Sequence, residues 1–103
     1  MFMAAEVEFC AILTIRYKNP LLMGSAHDWV SENQPAEMPK GCKKMRSFHI
    51  APDRGMTIIW FDTKDNLEAA FPFLKSFQNE LATRFEAYCN AEKAITSPDL
   101  DAG

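Results

Sequence analysis

The sequence has few of the residues on which disulfide-rich folds and metal centres depend. Its three cysteines, Cys10, Cys42 and Cys89, are an odd number and show no CxxC or CxxH spacing. A disulfide framework is therefore not expected. Neither is a metal site, since the only histidines, His27 and His49, have no further ligands at a recognisable spacing. With four glycines, the chain also forms no glycine-rich phosphate loop.

Long apolar runs and an excess of positive charge are absent as well. No run approaches the ~18 residues that a membrane-spanning helix needs. Residues 1–8 carry Glu6 and Glu8 without a basic region, which is not the pattern of a signal peptide. We therefore expect a cytoplasmic protein with no membrane partner. The net charge of −3 argues against a nucleic-acid partner, because phosphate contacts supply most of such affinity.

What is present is an ordinary globular composition that is rich in aromatic side chains. The chain has 103 residues, of which 48% are hydrophobic and 12% aromatic. A monomer of this size buries only about two thirds of the surface that its unfolded chain exposes. The aromatic content therefore favours an oligomer. We assign residues 1–95 to a single domain and residues 96–103 to a flexible polar tail.

Three segments have the β-branched and aromatic composition of strands. They are residues 7–17, 42–51 and 56–62. The turn between the last two, Pro52-Asp53-Arg54-Gly55, predicts a hairpin in which glycine accepts positive φ. The first and third strands are apolar on both faces at their centres. Such a sheet needs a cover on each side.

Two further segments have helical spacing. The first is predicted from about Ala26 to Asn33, with Ser25 as N-cap and an end imposed by Pro35. The second starts near Asp65, and Pro72 inside it predicts either a kink or two separate helices. Residues 85–91 fit the end of that helix or a short fourth strand, and the pattern does not decide between the two.

The order β, α, β, β, α, with an undecided final β, is that of the ferredoxin-like, or split βαβ, arrangement. The predicted fold class is therefore α+β, with two helices on one face of an antiparallel sheet. The second apolar face predicts the sheet of another copy as its cover, and hence a homodimer.

One segment resembles a known group of proteins. Residues 29–35, Trp-Val-Ser-Glu-Asn-Gln-Pro, resemble the W-x-x-x-H-x-P pattern at the end of the first helix in EthD-like proteins, and residues 38–41 resemble the loop that follows it. Those proteins belong to the dimeric α+β barrel superfamily, with the antibiotic-biosynthesis monooxygenase-like and stress-responsive barrel families. The resemblance covers roughly residues 7–85. It implies a dimeric barrel built from two ferredoxin-like sheets.

The sequence departs from that pattern at one position. Asn33 stands where the pattern has histidine, and asparagine forms hydrogen bonds but does not titrate. Haem-degrading members of the superfamily use a histidine of the second helix as iron ligand, and residues 65–89 contain none. Neither haem nor another cofactor is therefore expected.

Six residues are candidates for the lining of a pocket between sheet and helices. They are Arg16, Tyr17, Trp29, Asn33, His49 and Trp60. Each also has a structural interpretation. The aromatic residues suit a core or a dimer interface, Asn33 suits a helix end, His49 a half-buried strand position, and Arg16 a surface charge.

Three functions are compatible with these observations. The first is a homodimeric protein that binds a small apolar or aromatic molecule, acting as a cofactor-independent oxygenase through placement and desolvation. The second is a non-catalytic ligand-binding or stress-response dimer, which the loss of the titratable motif residue favours. The third is an RNA-recognition module, since residues 54–61 loosely follow its third-strand motif. Met56 and Ile58 replace the stacking aromatics of that motif, and the acidic balance opposes it.

Overall fold

The computed structural model describes residues 7–35, 37–97 and 100. Its strands form one antiparallel sheet in the order β2-β3-β1-β4. This is the ferredoxin-like α+β fold that the sequence predicts. The elements are β1 (Phe9–Arg16), α1 (Pro20–Asn33), β2 (Cys42–Ala51), β3 (Arg54–Phe61), α2 (Lys64–Arg84) and β4 (Tyr88–Ile95).

The fourth strand is formed, three residues later than the sequence pattern suggested. Helix α2 ends at Arg84, and Glu86 adopts a φ of 52° that turns the chain back towards the sheet. Strand β4 then pairs along the whole of β1, from Arg16 with Tyr88 to Phe9 with Ile95. The pairing continues at Thr96, whose N–H donates to the Glu8 carbonyl at 3.0 Å. The flexible tail from residue 96 stays a prediction, since residues 98, 99 and 101–103 lie outside the described ones.

Helix α2 runs without interruption through Pro72, so the alternative of two helices is wrong. A proline in a helix interior costs about 3 kcal/mol. Buried side chains on both sides of it, Leu67 and Ala70 before and Leu74 and Leu81 after, pack on the same side of the sheet. Their combined burial holds the two halves of the helix together.

Helix α1 begins six residues earlier than predicted. Its N-cap is Asn19, whose side-chain oxygen accepts from the Leu22 N–H at 2.9 Å, and Pro20 occupies the first turn. Proline is tolerated there because its missing N–H would be unpaired in any case. Ser25, the predicted N-cap, therefore lies inside the helix.

Replacing the cap tests this correction. We expect Asn19→Ala to lower the free energy of unfolding by about 1 kcal/mol, because the Leu22 N–H loses its acceptor. Ser25→Ala, at the position that the sequence indicated, serves as the control and should leave stability unchanged or slightly raised, since alanine is the better helix former. Urea unfolding followed by circular dichroism measures both. A larger loss for Ser25→Ala would contradict the assignment.

The hairpin glycine also differs from expectation. Gly55 lies within β3 and does not have positive φ, because the turn is made by residues 52–53. The glycine of positive φ among the described residues is Gly41, at 79°, just before β2. A Cβ there would collide with the side chains of Asn66 and Asp62. Gly41 is therefore the position at which only glycine fits.

The helices cover one face of the sheet with two clusters of buried side chains. Under the first half of α2 lie Ala11, Ile59, Phe61, Leu67, Ala70 and Leu74. Where α1 meets the second half of α2 lie Tyr17, Met23, Ala26 and Leu81. A cavity occupies the space between these two clusters.

The opposite face of the sheet, termed the open face, carries no helix. Strand alternation and the pairing register place on it the side chains of Cys10, Ile12, Thr14 and Arg16 of β1, Lys44, Arg46 and Phe48 of β2, Arg54, Met56, Ile58 and Trp60 of β3, and Tyr88, Asn90, Glu92 and Ala94 of β4. Its centre is apolar and its margins carry the charges. Within the described ranges, neither helix is long and apolar enough to cross a membrane.

Candidate functional site

A cavity of about 510 Å³ lies between the helix-covered face of the sheet and the two helices. Its floor comes from β1, β2 and β3, and its walls come from α1, α2 and residues 37–39 of the following segment. The volume is within the range of about 300–1,000 Å³ that is typical of small-molecule sites.

One wall of the cavity is apolar. Strand β1 and helix α2 supply it, because both place aliphatic and aromatic side chains on the side where they face each other. These residues are Leu13, Ile15, Phe73, Leu74, Phe77 and Leu81. Phe73 is 52% exposed although its ring is fully apolar. The apolar wall therefore continues to the surface, where a ligand could enter.

Tyr17 supplies a polar group at the inner end of the cavity. Its side chain is only 3% exposed and packs with Met23 and Ala26 of α1. Within the described part of the chain its hydroxyl forms no hydrogen bond, although its backbone N–H donates to the Asp53 carbonyl at 2.7 Å. Burial raises the pKa of Tyr17 to about 12, because the phenolate would lose its hydration. A hydroxyl that lines the cavity without a partner among the described residues is a group to which a ligand can hydrogen-bond.

The raised pKa of Tyr17 predicts a pH dependence of stability. The folded pKa, about 12, lies above the ordinary value of 10, so the folded state holds the proton more tightly. The contribution of this pKa difference to the free energy of unfolding is fully present below pH 10 and is lost as the pH rises towards 12. Alkaline titration of the phenolate absorbance should show the high step, and Tyr17→Phe should remove it. Survival of that step in Tyr17→Phe would contradict the assignment.

The side of the cavity formed by β2 and α1 carries hydrogen-bonding groups, Ser31, Ser47, His27 and His49, among the apolar side chains of Met23, Val30 and Met45. On the floor, Ser47 Oγ and Thr57 Oγ1 share a hydrogen bond of 2.9 Å across the two paired strands. One of the two hydroxyl protons remains available to a bound molecule. At the mouth of the cavity, the exposed rings of His27 from α1 and His49 from β2 lie with centroids 5.4 Å apart at 65°.

Gln78 closes the cavity towards β4. Its side chain is 5% exposed, and its Nε2 donates to the backbone carbonyls of Thr14 at 2.7 Å and Asn90 at 3.1 Å. The amide thereby ties α2 to two neighbouring strands. Its Oε1 is buried without a hydrogen-bond partner among the described residues.

The structure brings two of the six candidate residues to the cavity. Tyr17 and His49 line it. Trp29 lies one layer behind, with its ring against Phe77 at 5.6 Å and beneath the guanidinium of Arg84 at 5.0 Å.

The other three candidates lie elsewhere. Asn33 Nδ2 donates to the Trp29 carbonyl at 2.8 Å and so caps the exposed end of α1. Trp60 lies on the open face with the Lys44 ammonium 4.4 Å from its ring centroid. Arg16 is also on the open face, opposite Arg54 of β3.

Sequence reasoning missed the second histidine and the buried amide. His27 was not among the candidates, but α1 begins earlier than predicted and His27 lies, exposed, one turn after the buried Met23. That i, i+4 spacing was the available signal. Nothing in the sequence marked Gln78, because glutamine on a helix is ordinarily solvent-exposed.

Among the described residues, no group of three or more histidine, cysteine, aspartate or glutamate side chains is placed to hold a metal ion.

Comparison with known proteins supports the fold and leaves the function open. No protein-family model matches the chain, and no curated protein matches its sequence. A crystal structure of a dimeric ferredoxin-like protein from an uncultured marine organism matches with a TM-score of 0.68 at 14% identity, covering 88% of this chain and 96% of that one.

Two further solved structures have the same fold. A protein of unknown function from Nitrosomonas europaea has a TM-score of 0.62 at 14% identity, with 94% of this chain and 97% of that chain covered. A conserved protein of unknown function from Bacteroides thetaiotaomicron, described as a possible oxidoreductase, has a TM-score of 0.61 at 15% identity, with coverages of 89% and 100%. At this identity the similarity establishes the ferredoxin-like fold alone.

Proposed function

We propose that this protein is a homodimer that binds a small apolar or aromatic molecule in the cavity between sheet and helices. The observation that carries the proposal is the cavity of about 510 Å³, whose lining is mostly apolar and includes a few hydrogen-bonding groups on the side of β2 and α1. The unpartnered Tyr17 hydroxyl and the Ser47–Thr57 pair suit a ligand with an oxygen substituent. Among the described residues, no lysine or arginine lines the cavity, so its chemistry does not favour a phosphate.

The open face supports the homodimer. Its centre combines Ile12, Ile58 and Trp60, apolar side chains that a monomer leaves without a cover. Its cations and Glu92 lie at the margins, as charged groups do at the rim of an interface. One of the structurally similar proteins is itself described as dimeric. Light scattering at micromolar concentration should give twice the chain mass of 11.7 kDa, and a monomer would contradict this part of the proposal.

A cofactor-independent oxygenase is the activity that we infer for the bound state. In such a reaction the substrate supplies the electrons that reduce oxygen, and the protein places and desolvates it. His49 at the mouth can accept the proton that a phenolic hydroxyl releases. The description of one similar structure as a possible oxidoreductase agrees with this direction. The alternative is a dimer that binds the same molecules without turning them over.

A cytoplasmic location remains a prediction from the sequence.

Oxygen uptake in the presence of phenols and quinols tests the activity. We expect uptake with at least one compound, and we expect His49→Ala to abolish it. Asn33→Ala is the matched control and should retain uptake, because the Asn33 side chain bonds to the Trp29 carbonyl at the helix end and does not line the described cavity. Saturable binding without uptake would support the non-catalytic alternative. Equal loss of uptake in both variants would contradict the role of His49.

A further inference from the structure

The two histidines of the chain are brought together by different elements. His27 comes from the middle of α1 and His49 from β2, yet their ring centroids are 5.4 Å apart. Neither imidazole has a hydrogen bond or an ion pair among the described residues, so the ring nitrogens are available. Both rings are exposed and reachable from solvent.

The separation of the two rings fits a shared metal ion. A metal–nitrogen bond is about 2.0–2.1 Å, which places a ring centroid about 3.2 Å from the ion. Two imidazoles on one ion at tetrahedral or trigonal angles then have centroids about 5.2–5.5 Å apart. The observed 5.4 Å lies in this interval.

A third donor is available from the methionine one turn before His27. Met23 is buried and lies on the same side of α1 by i, i+4 spacing. Its methyl group reaches the cavity floor, since a Cβ built on Gly55 would be 3.6 Å from Met23 Cε. Gly55 is the strand partner of His49. The end of the Met23 side chain therefore lies over Gly55, beside His49 in the sheet.

We propose that His27, His49 and Met23 bind one copper(I) ion at the mouth of the cavity. Imidazole and thioether are ligands that suit copper(I), whereas a thioether is a poor partner for magnesium or calcium, which prefer oxygen. Three donors suffice for copper(I), which accepts trigonal coordination. The sequence concealed the site because its members are separated by up to 26 positions and zinc-type spacing is absent. This site shares His49 with the oxygenase proposed above, but its test follows metal binding alone and does not depend on that activity.

Nitrogen-15 NMR of the histidine rings tests the proposal directly. The chain has only two histidines, and copper(I) is diamagnetic, so each imidazole can be followed during an anaerobic titration. We expect both rings to shift and to saturate at one equivalent, together with the methyl resonance of Met23. Shifts of the imidazole nitrogens also distinguish copper(I) at this site from copper(I) bound by a cysteine thiolate, since Cys42 and Cys89 lie outside the cavity lining.

Matched variants sharpen the test. His27→Gln, His49→Gln and Met23→Leu should each weaken binding by at least the roughly 10–100-fold cost of losing a group that supports a metal. Met45 also lines the cavity and lies on β2, one period of the strand alternation beyond Ser47 from His49. Met45→Leu removes its thioether and should leave the affinity for copper(I) unchanged. Unshifted imidazoles at saturating copper(I), shifts with zinc(II) alone, or equal losses in Met23→Leu and Met45→Leu would each overturn the proposal. Ring-on-ring packing alone would then explain the histidine pair.

Discussion

Replacing Gln78 with glutamate is expected to lower the free energy of unfolding at neutral pH by about 3–5 kcal/mol, as an unpaired buried charge does. The two side chains have nearly the same shape. Gln78 Nε2, however, donates to the carbonyls of Thr14 and Asn90, and a carboxylate oxygen in its place would face two acceptors. The site is only 5% exposed, so water cannot compensate.

The pH dependence of Gln78→Glu separates charge from shape. Burial and two facing carbonyls would raise the pKa of the new carboxyl above its ordinary value, so the folded state binds its proton more tightly. The variant should then be nearly restored in acid and should lose stability as the pH rises. Gln78→Met, of similar length and uncharged, is the control and should cost about 1–3 kcal/mol at every pH through the lost hydrogen bonds. Equal, pH-independent losses in urea titrations of both variants would contradict this account.

Replacing Ile12 with lysine is expected to dissociate the proposed homodimer while the chain stays folded. Ile12 lies at the centre of the open face, between Ile58 of β3 and Glu92 of β4. In the monomer the new ammonium can pair with Glu92, but under a second sheet it would be buried, at a cost of several kcal/mol. The dissociation constant should rise by more than about 100-fold.

Sedimentation equilibrium measures that dissociation constant. Ser76→Lys adds the same charge at an exposed position on α2 and should leave the constant unchanged. Circular dichroism of Ile12→Lys should retain the native spectrum. A dimer of undiminished stability in Ile12→Lys would show that the copies meet on another surface.

The fold was predictable because its signals are local and redundant. Strands apolar on both faces, the helix end at Pro35 and the helical spacing after Asp65 together indicate the ferredoxin-like order. Single turns were less predictable. The start of α1 at Asn19-Pro20 and the continuity of α2 through Pro72 depend on whether side-chain packing outweighs the local preference of the backbone. Only the packed structure decides that.

The candidate site was half predictable. Tyr17 and His49 have the strand parity that faces the helices, and that parity is readable from sequence. Trp60 has the opposite parity, and so lies on the other side of the sheet from the cavity. His27 could not be assigned until the true start of α1 fixed its direction. The partners of Gln78 are contacts between residues 12 and 64 positions apart, which no local pattern reveals.

Calorimetric titration of 2-naphthol into the wild-type protein and into Gly55→Val tests the proposed ligand site directly. Gly55 lies on the cavity floor, where a Cβ would be 3.6 Å from Met23 Cε, so the larger side chain of valine would project into the ligand space. We predict saturable binding by the wild-type protein and by Gly24→Ala, whose added methyl contacts nothing within 4 Å, and loss of binding in Gly55→Val. Absence of binding by the wild-type protein, or equal binding by a folded Gly55→Val variant, would contradict the account.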